Sequence, residues 1–265
     1  MKYVIDHDLH IHSRLSSCSN NPLQTTERVL EYALDNNLKK VCLTNHFWDE
    51  DIPGPNGFYE TQNFAHVKTA LPLPKNEEVE FLFGCETDMD KNFRLGITKE
   101  RFDVFDFVII PTTHLHMNSF TIDEKDFSIE RRAYQYVNRL DTLLDMDLPF
   151  EKVGIAHLTC PLIAPDHPQD HLKVLDHISD KTFEELFSKL AKKKAGFELN
   201  FTIKNYEGDS INSILRPYQI AKKCGCKFYL GSDAHHPTTF DNAVDNFKAI
   251  IDALDLKETD KFVLK

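Results

Sequence analysis

"FVIIPTTH" (107–114) starts as an unbroken apolar run and ends in a histidine. A short run rich in β-branched and aromatic residues reads as a strand. A ligand-type side chain at the end of such a strand is costly unless it has a partner or a function. The same design recurs along the chain, in "YVIDHDLHI" (3–11), "KVCLTNH" (40–46), "EFLFGCET" (80–87), "KVGIAHLT" (152–159), "GFELNF" (196–201) and "KFYLGSDAH" (227–235). Segments of helical period lie between them, at 25–37, 128–145, 181–194 and 242–254. In the first, Val29, Leu30, Ala33 and Leu34 share one face. The third ends in a Lys-rich turn followed by Gly196, a predicted helix stop.

Seven strand-plus-helix units in succession predict an α/β fold with a parallel sheet. The expected closure is a distorted seven-stranded, TIM-like (β/α)7 barrel over residues 1–265, as one domain without a linker. Neither G-x-G-x-x-G after the first strand nor G-x-x-x-x-G-K-[ST] occurs, which excludes those nucleotide cradles. Residues 47–63, "FWDEDIPGPNGFYETQN", are too rich in Pro, Gly and acid for core and predict a long loop over one end. In it, Phe47, Trp48 and Tyr59 either line a leaving-group pocket or pin the loop to the barrel.

At 265 residues and 41% hydrophobic, the chain is long and apolar enough for a sizeable core. The net charge of −11 argues against a general nucleic-acid surface. An anionic substrate remains compatible, because bound divalent ions invert the local sign. No apolar stretch approaches a membrane span, and "MKYVIDHDLHIH" has no signal core, so a soluble cytoplasmic protein is expected. Cys18, Cys42, Cys85, Cys160, Cys224 and Cys226 impose no disulfide framework.

Six of the seven strand ends carry ligand types: His10 and His12, His46, Glu86, His114, His157, and Asp233 with His235. In an extended strand, residues i and i+2 point to the same side, so His10 and His12 project together, as do Asp233 and His235. Any one of these residues alone reads as a buried, hydrogen-bonded side chain. Repeated at equivalent places, at the barrel face where sites are built, they predict a metal cluster. Six histidines and two carboxylates exceed what one tetrahedral zinc needs. Glu86 could bridge two ions about 3.5–4 Å apart. Nitrogen-rich ligation suits Zn, Mn or Fe. His7, His66, His167, His171 and His177 lie off the pattern and are assigned to surface or packing.

The ordered motifs "DLHIHS" (8–13), "LTNH" (43–46), "GCE" (84–86), "TTH" (112–114), "IAH" (155–157) and "GSDAHH" (231–236) resemble those of the polymerase and histidinol phosphatase superfamily, over the whole chain. The resemblance implies a distorted seven-stranded barrel with two or three divalent ions. It places His10, His12, Glu86 and Asp233 at one ion, Glu86, His114 and His157 at a second, and His46 and His235 at a third. Asp8 would orient a ligand imidazole. Two positions depart from the pattern. Cys18 stands where the third ion normally has His or Asp, either as a thiolate ligand or as a free thiol. Asn45 precedes His46 where Asp is usual.

The implied activity is hydrolysis of a small-molecule phosphomonoester by a metal-activated hydroxide, releasing inorganic phosphate. Glu86, Asp233 and His235 would serve the reaction directly. Arg14, Arg132, His116 and His236 would contact phosphate or leaving group, and Glu198 and Asn200 would contact substrate or support a ligand. The alternatives are a histidinol-phosphatase, an amidohydrolase-type deaminase (usually eight strands and a bridging lysine) and a non-catalytic metal-binding module. A histidinol-phosphatase usually continues its first motif with Cys-x-His-Gly, which "SSCSNN" lacks.

Overall fold

The computed structural model describes residues 1–264. Strand and helix alternate: β1 (His7–Ile11), α1 (Thr26–Asp35), β2 (Lys40–Leu43), α2 (Phe64–Val67), β3 (Glu80–Phe83), β4 (Cys85–Glu86), α3 (Lys99–Phe102) and β5 (Val108–Pro111). Then follow α4 (Ile129–Asp145), β6 (Val153–Ala156), α5 (Asp170–His177), α6 (Asp180–Lys193), β7 (Gly196–Leu199), α7 (Asp209–Lys223), β8 (Lys227–Leu230) and α8 (Phe240–Leu254). Thr25, Ser128 and Ser179 start α1, α4 and α6 by accepting the N–H of Arg28, Arg131 and Thr182. Gly196 is not the stop of α6. Lys194 takes the left-handed turn at φ 67°, and Gly196 is already the first residue of β7.

All strand pairs are parallel. They form two sheets, β1-β2-β3 and β4-β5-β6-β7-β8, rather than the closed seven-stranded barrel expected. The eight strands arise because "EFLFGCET" divides at Gly84. Gly84 N–H still donates to Leu43 O on β2, but Cys85 N–H donates to Phe107 O beside β5. One continuous run thus changes partners and joins the two sheets. A Cβ on Gly84 would lie 2.4 Å from Phe107 O and 2.7 Å from Cys42 Sγ, so only glycine permits this approach.

Isolated bridges span the two seams. His46 pairs with Glu86, and Ile11 pairs with Ala234. At the second seam Asp233 N–H donates to His10 O at 2.8 Å and His12 N–H to Ala234 O at 3.1 Å. The first and last strands are therefore neighbours, which brings both ends of the sequence to one place.

Strand alternation sorts the side chains. Leu9, Cys42, Phe107, Ile109, Ala156 and Tyr229 pack together on one face, with Phe262 and Leu264 from the C-terminal segment. Val41, Val108, Ile110, Ile155, Phe197, Phe228 and Leu230 face the helices in a second, larger cluster. Among the described residues, no helix is long and apolar enough to cross a membrane.

Gly84→Ala forces Phe107 or Cys42 to move and is expected to cost about 1–3 kcal/mol, the usual range for overpacking. Urea unfolding measures it, and a wild-type midpoint would remove the steric account of the strand division.

Candidate metal centre

The strand-end ligands converge. His10, His12, Glu86 and Asp233 form one group, Glu86, His114 and His157 a second, and His12, His46 and His235 a third, each with its ligand atoms within 4.8 Å of one another. Glu86 is fully buried at the centre. Its Oε2 lies 3.4 Å from His10 Nε2, 3.2 Å from His12 Nε2 and 3.0 Å from His46 Nδ1. Its Oε1 lies 3.2 Å from His157 Nε2 and 3.9 Å from His114 Nε2. Asp233 Oδ1 lies 3.4 Å from His10 Nε2 and 3.2 Å from His12 Nε2 across the second seam.

Outer partners decide which ring nitrogen faces inward. His10 Nδ1 is 2.5 Å from Glu198 Oε1, and His114 Nδ1 is 3.0 Å from Asp88 Oδ2. A carboxylate only accepts, so these nitrogens carry the proton and the Nε2 lone pairs point to the centre. Ser16 Oγ donates its one proton to Asn45 Oδ1 and therefore accepts from His12 Nδ1 at 2.8 Å. His235 Nδ1 donates to Asp233 O at 2.8 Å. His10 Nε2 and His12 Nε2 then meet at 3.0 Å as two lone pairs. Both Glu86 oxygens and Asp233 Oδ1 are buried without a hydrogen-bond donor. Converging lone pairs and orphaned carboxylate oxygens fit cations and little else.

His157 and Asp233 adopt left-handed φ of 61° and 52°, unfavourable for non-glycine residues. Bonds to the neighbours of the cluster hold them there: His157 N–H donates to Glu198 Oε2 at 3.0 Å, and Asp233 N–H to His10 O. Glu198 thus supports two ligands at once and sits behind the cluster, where substrate does not reach. A Cβ on Gly231 would lie 2.4 Å from Glu198 Oε1, which explains the glycine of "GSDAHH".

Several expectations need correction. Asp8 holds backbone rather than an imidazole. It accepts from His10 N–H, Ser232 N–H and Tyr32 OH, and burial raises its carboxyl to about 6. Arg132 is buried and turned away from the cavity. Its guanidinium donates to Leu115 O, Ile163 O, Phe127 O and Asp166. Arg139, one heptad on, donates to Met89 O, Asp90 O, Thr112 O and Thr121 O. Two buried arginines of α4 therefore tie down the loops that carry Asp88 and His114. Arg14 is exposed and lies outside the cavity lining. His236 caps the turn before α8 through Thr238 N–H and also lies outside the lining.

The cluster opens into a cavity of about 380 Å³, lined by the ligands His46, Glu86, His114, His157, Asp233 and His235 and by Cys18, Asn56, Phe58, Tyr59, Asp88, His116, Met117 and Leu162. Phe47 and Trp48 are buried and pin the loop, while Tyr59 both pins it and lines the cavity, donating to Asp88 Oδ2 at 2.5 Å. Phe58, Met117 and Leu162 escaped the sequence reading. Cys18 lines the same cavity as His46 and His235 but joins no ligand group. Cys18 is exposed as a residue, and partial desolvation in the cavity, with the nearby Glu86 and Asp233 carboxylates, raises its thiol above the ordinary value. His116 stands at the rim, where burial and the neighbouring His114 pull its imidazole below the ordinary value. Asn200 also lies outside the lining.

No family model and no curated protein matches this chain. Its fold has solved counterparts. One is histidinol phosphate phosphatase from Lactococcus lactis subsp. lactis, complexed with zinc, L-histidinol and phosphate, at TM-score 0.64 and 16% identity over 97% of this chain and 98% of that one. Another is a putative histidinol phosphatase from Listeria monocytogenes, at TM-score 0.61 and 12% identity over 91% and 99%. A probable 2-pyrone-4,6-dicarboxylic acid hydrolase from Acinetobacter baumannii, with citric acid bound, follows at TM-score 0.51 and 14% identity over 98% and 96%. These likenesses concern the fold.

Glu198→Gln removes the charge that orients His10 while keeping the shape. It is expected to weaken zinc binding about 10–100-fold, as for other partners of ligand histidines. Competition against a chromophoric chelator measures this, with circular dichroism checking the fold. Wild-type affinity would refute the supporting role of Glu198.

Proposed function

We propose that residues 1–265 form one metallohydrolase domain of the polymerase and histidinol phosphatase superfamily, hydrolysing a small-molecule phosphomonoester to alcohol and inorganic phosphate. The observation that carries the reading is Glu86, whose two donor-free oxygens face two different histidine sets. A carboxylate so placed serves two cations. The fold shared with a phosphatase that holds zinc, L-histidinol and phosphate supports the same reading.

His10, His12, Glu86 and Asp233 would hold one ion and Glu86, His114 and His157 a second. His12 Nε2 has a single lone pair, so a third ion would rest on His46 and His235, with Cys18 as the available additional donor. Zinc, manganese and iron all suit this donor set. When bound, such ions supply Lewis acidity toward the phosphoryl oxygens and lower the pKa of water.

The chain's own residues then have separable tasks. Glu198, Asp88 and Ser16 keep the imidazole N–H groups outward and the lone pairs inward. Asp233, with its side chain 27% exposed, is the cluster carboxylate closest to solvent and would accept a hydrogen bond from the attacking water. His235, its Nδ1 proton held by Asp233 O, belongs to the third ligand group, while His116 lines the same cavity outside the ligand groups and is placed to contact the leaving group. Walls of Phe58, Tyr59 and Leu162 limit the access of bulk water.

The amidohydrolase alternative loses support because, among the described residues, no lysine lines the cavity. Histidinol phosphate remains one candidate ester, on the strength of the Lactococcus neighbour alone.

Glu86→Ala is expected to reduce the bound ions per chain and to lower phosphate release by about 10³-fold or more, the scale of losing a central electrostatic group. Elemental analysis of the purified variant decides: full metal content would sink the bridging assignment. Cys18→Ser is expected to weaken only the last ion to bind in a zinc titration. An unchanged stoichiometry and rate would mean that Cys18 is a free thiol.

A further inference from the structure

The cavity beside the metal centre has two unlike halves. One half is the ligand cluster. The rest of the lining is Phe58, Tyr59, Met117 and Leu162, together with Cys18, Asn56, Asp88 and His116. Phe58 stands edge-on to His46, with ring centroids 5.0 Å apart, and perpendicular to Tyr59, also at 5.0 Å. Tyr59 is fixed by its bond to Asp88, and Met117 by contact of its sulfur with Asn56 Nδ2 at 3.7 Å. Phe58, Met117 and Leu162 are each half-buried, so part of each surface remains open to an occupant. Among the described residues, no lysine or arginine lines the cavity, while Glu86, Asp88 and Asp233 all do.

Resting on the phosphatase reading above, we infer that this wall selects the leaving group: a compact apolar group, best an aromatic ring, carrying no second negative charge. A ring lying against Phe58 and Leu162 gains apolar contact and aromatic packing. A carboxylate or second phosphate at the same place finds no lysine or arginine, lies on the side of Asp88, and loses its water. The phosphoryl group escapes this penalty because the metal cluster neutralises it. Sugar bisphosphates and phosphorylated sugar acids are therefore poor substrates, and monoesters of uncharged ring-bearing alcohols are good ones.

The decisive comparison uses esters of matched leaving-group basicity: benzyl phosphate, its 4-carboxylate and ethyl phosphate, assayed for phosphate release by the zinc-loaded full chain. Benzyl phosphate should exceed ethyl phosphate in kcat/KM by about tenfold, the scale of an apolar pocket contact. It should exceed its carboxylate derivative by about 10²-fold, the scale of an unpaired charge in a desolvated site. Met117→Lys supplies the missing cation and should narrow the second ratio by about tenfold. Phe58→Ala should shrink the first ratio toward unity.

Binding of phenylphosphonate against 4-phosphonobenzoate, measured by calorimetry, reads the same preference without turnover. Equal use of benzyl phosphate and its carboxylate, or equal binding of the two phosphonates, would overturn the inference and leave the hydrolase reading standing. Phosphate release from none of the esters, with phenylphosphonate still preferred, would overturn the hydrolase reading and keep the wall as a binding surface. Failure of both rates and binding would overturn both.

Discussion

A buried carboxylate with no hydrogen-bond donor is among the least tolerable groups in a protein interior. Glu86 is in that position with both oxygens, facing histidine nitrogens that offer lone pairs rather than protons, an arrangement that only cations between them make bearable. Each of these histidines must turn a lone pair inward. His10, His114 and His12 therefore need an acceptor behind them, and Glu198, Asp88 and Ser16 stand in those places. The left-handed backbone at His157 and Asp233, the absent side chain at Gly231 and the clamps of Arg132 and Arg139 all follow from placing that outer layer. The cluster is an inner arrangement of bases supported by an outer arrangement of acids and hydroxyls.

Much of the inner layer was readable in the sequence, because an apolar strand that ends in His or Glu violates the usual patterning and the violation repeats. The strands and four of the helices were legible for a related reason: local caps and periodicity agree with the final elements. The outer layer was less legible. Glu198 and His10 are 188 positions apart, and nothing local to either announces the pair. Asp8, two residues from His10, looked like the better partner but is consumed by backbone N–H groups. Arg132 looked like a substrate side chain and Arg139 gave no signal, since an arginine satisfied almost wholly by carbonyls leaves no charge pattern behind. Helix α7 carries Pro217 in its interior, which argues against a helix until the packing is seen. The strand count differed because Gly84 changes hydrogen-bond partners without interrupting the apolar run, a switch decided by neighbours far along the chain.

The loop over the cavity illustrates a different limit. Its Pro, Gly and acidic residues correctly mark it as irregular, yet Trp48, Tyr59 and Phe120 bury one another in a small satellite core. That core holds the loop as a wall of fixed shape. Shape in such a wall depends on which of several aromatics turns inward, and sequence assigns no direction to a side chain in an irregular segment.

The two seams between the sheets are crossed by few backbone bonds, yet the ligand groups cross both of them. His10 and His12 belong to one sheet, and Glu86 and Asp233 to the other or its extension. Any cation gathered by these four residues therefore also holds the sheets together, and its binding free energy adds to that of folding by mass action. Removal of such cations would therefore loosen the joint between the sheets as well as empty the site.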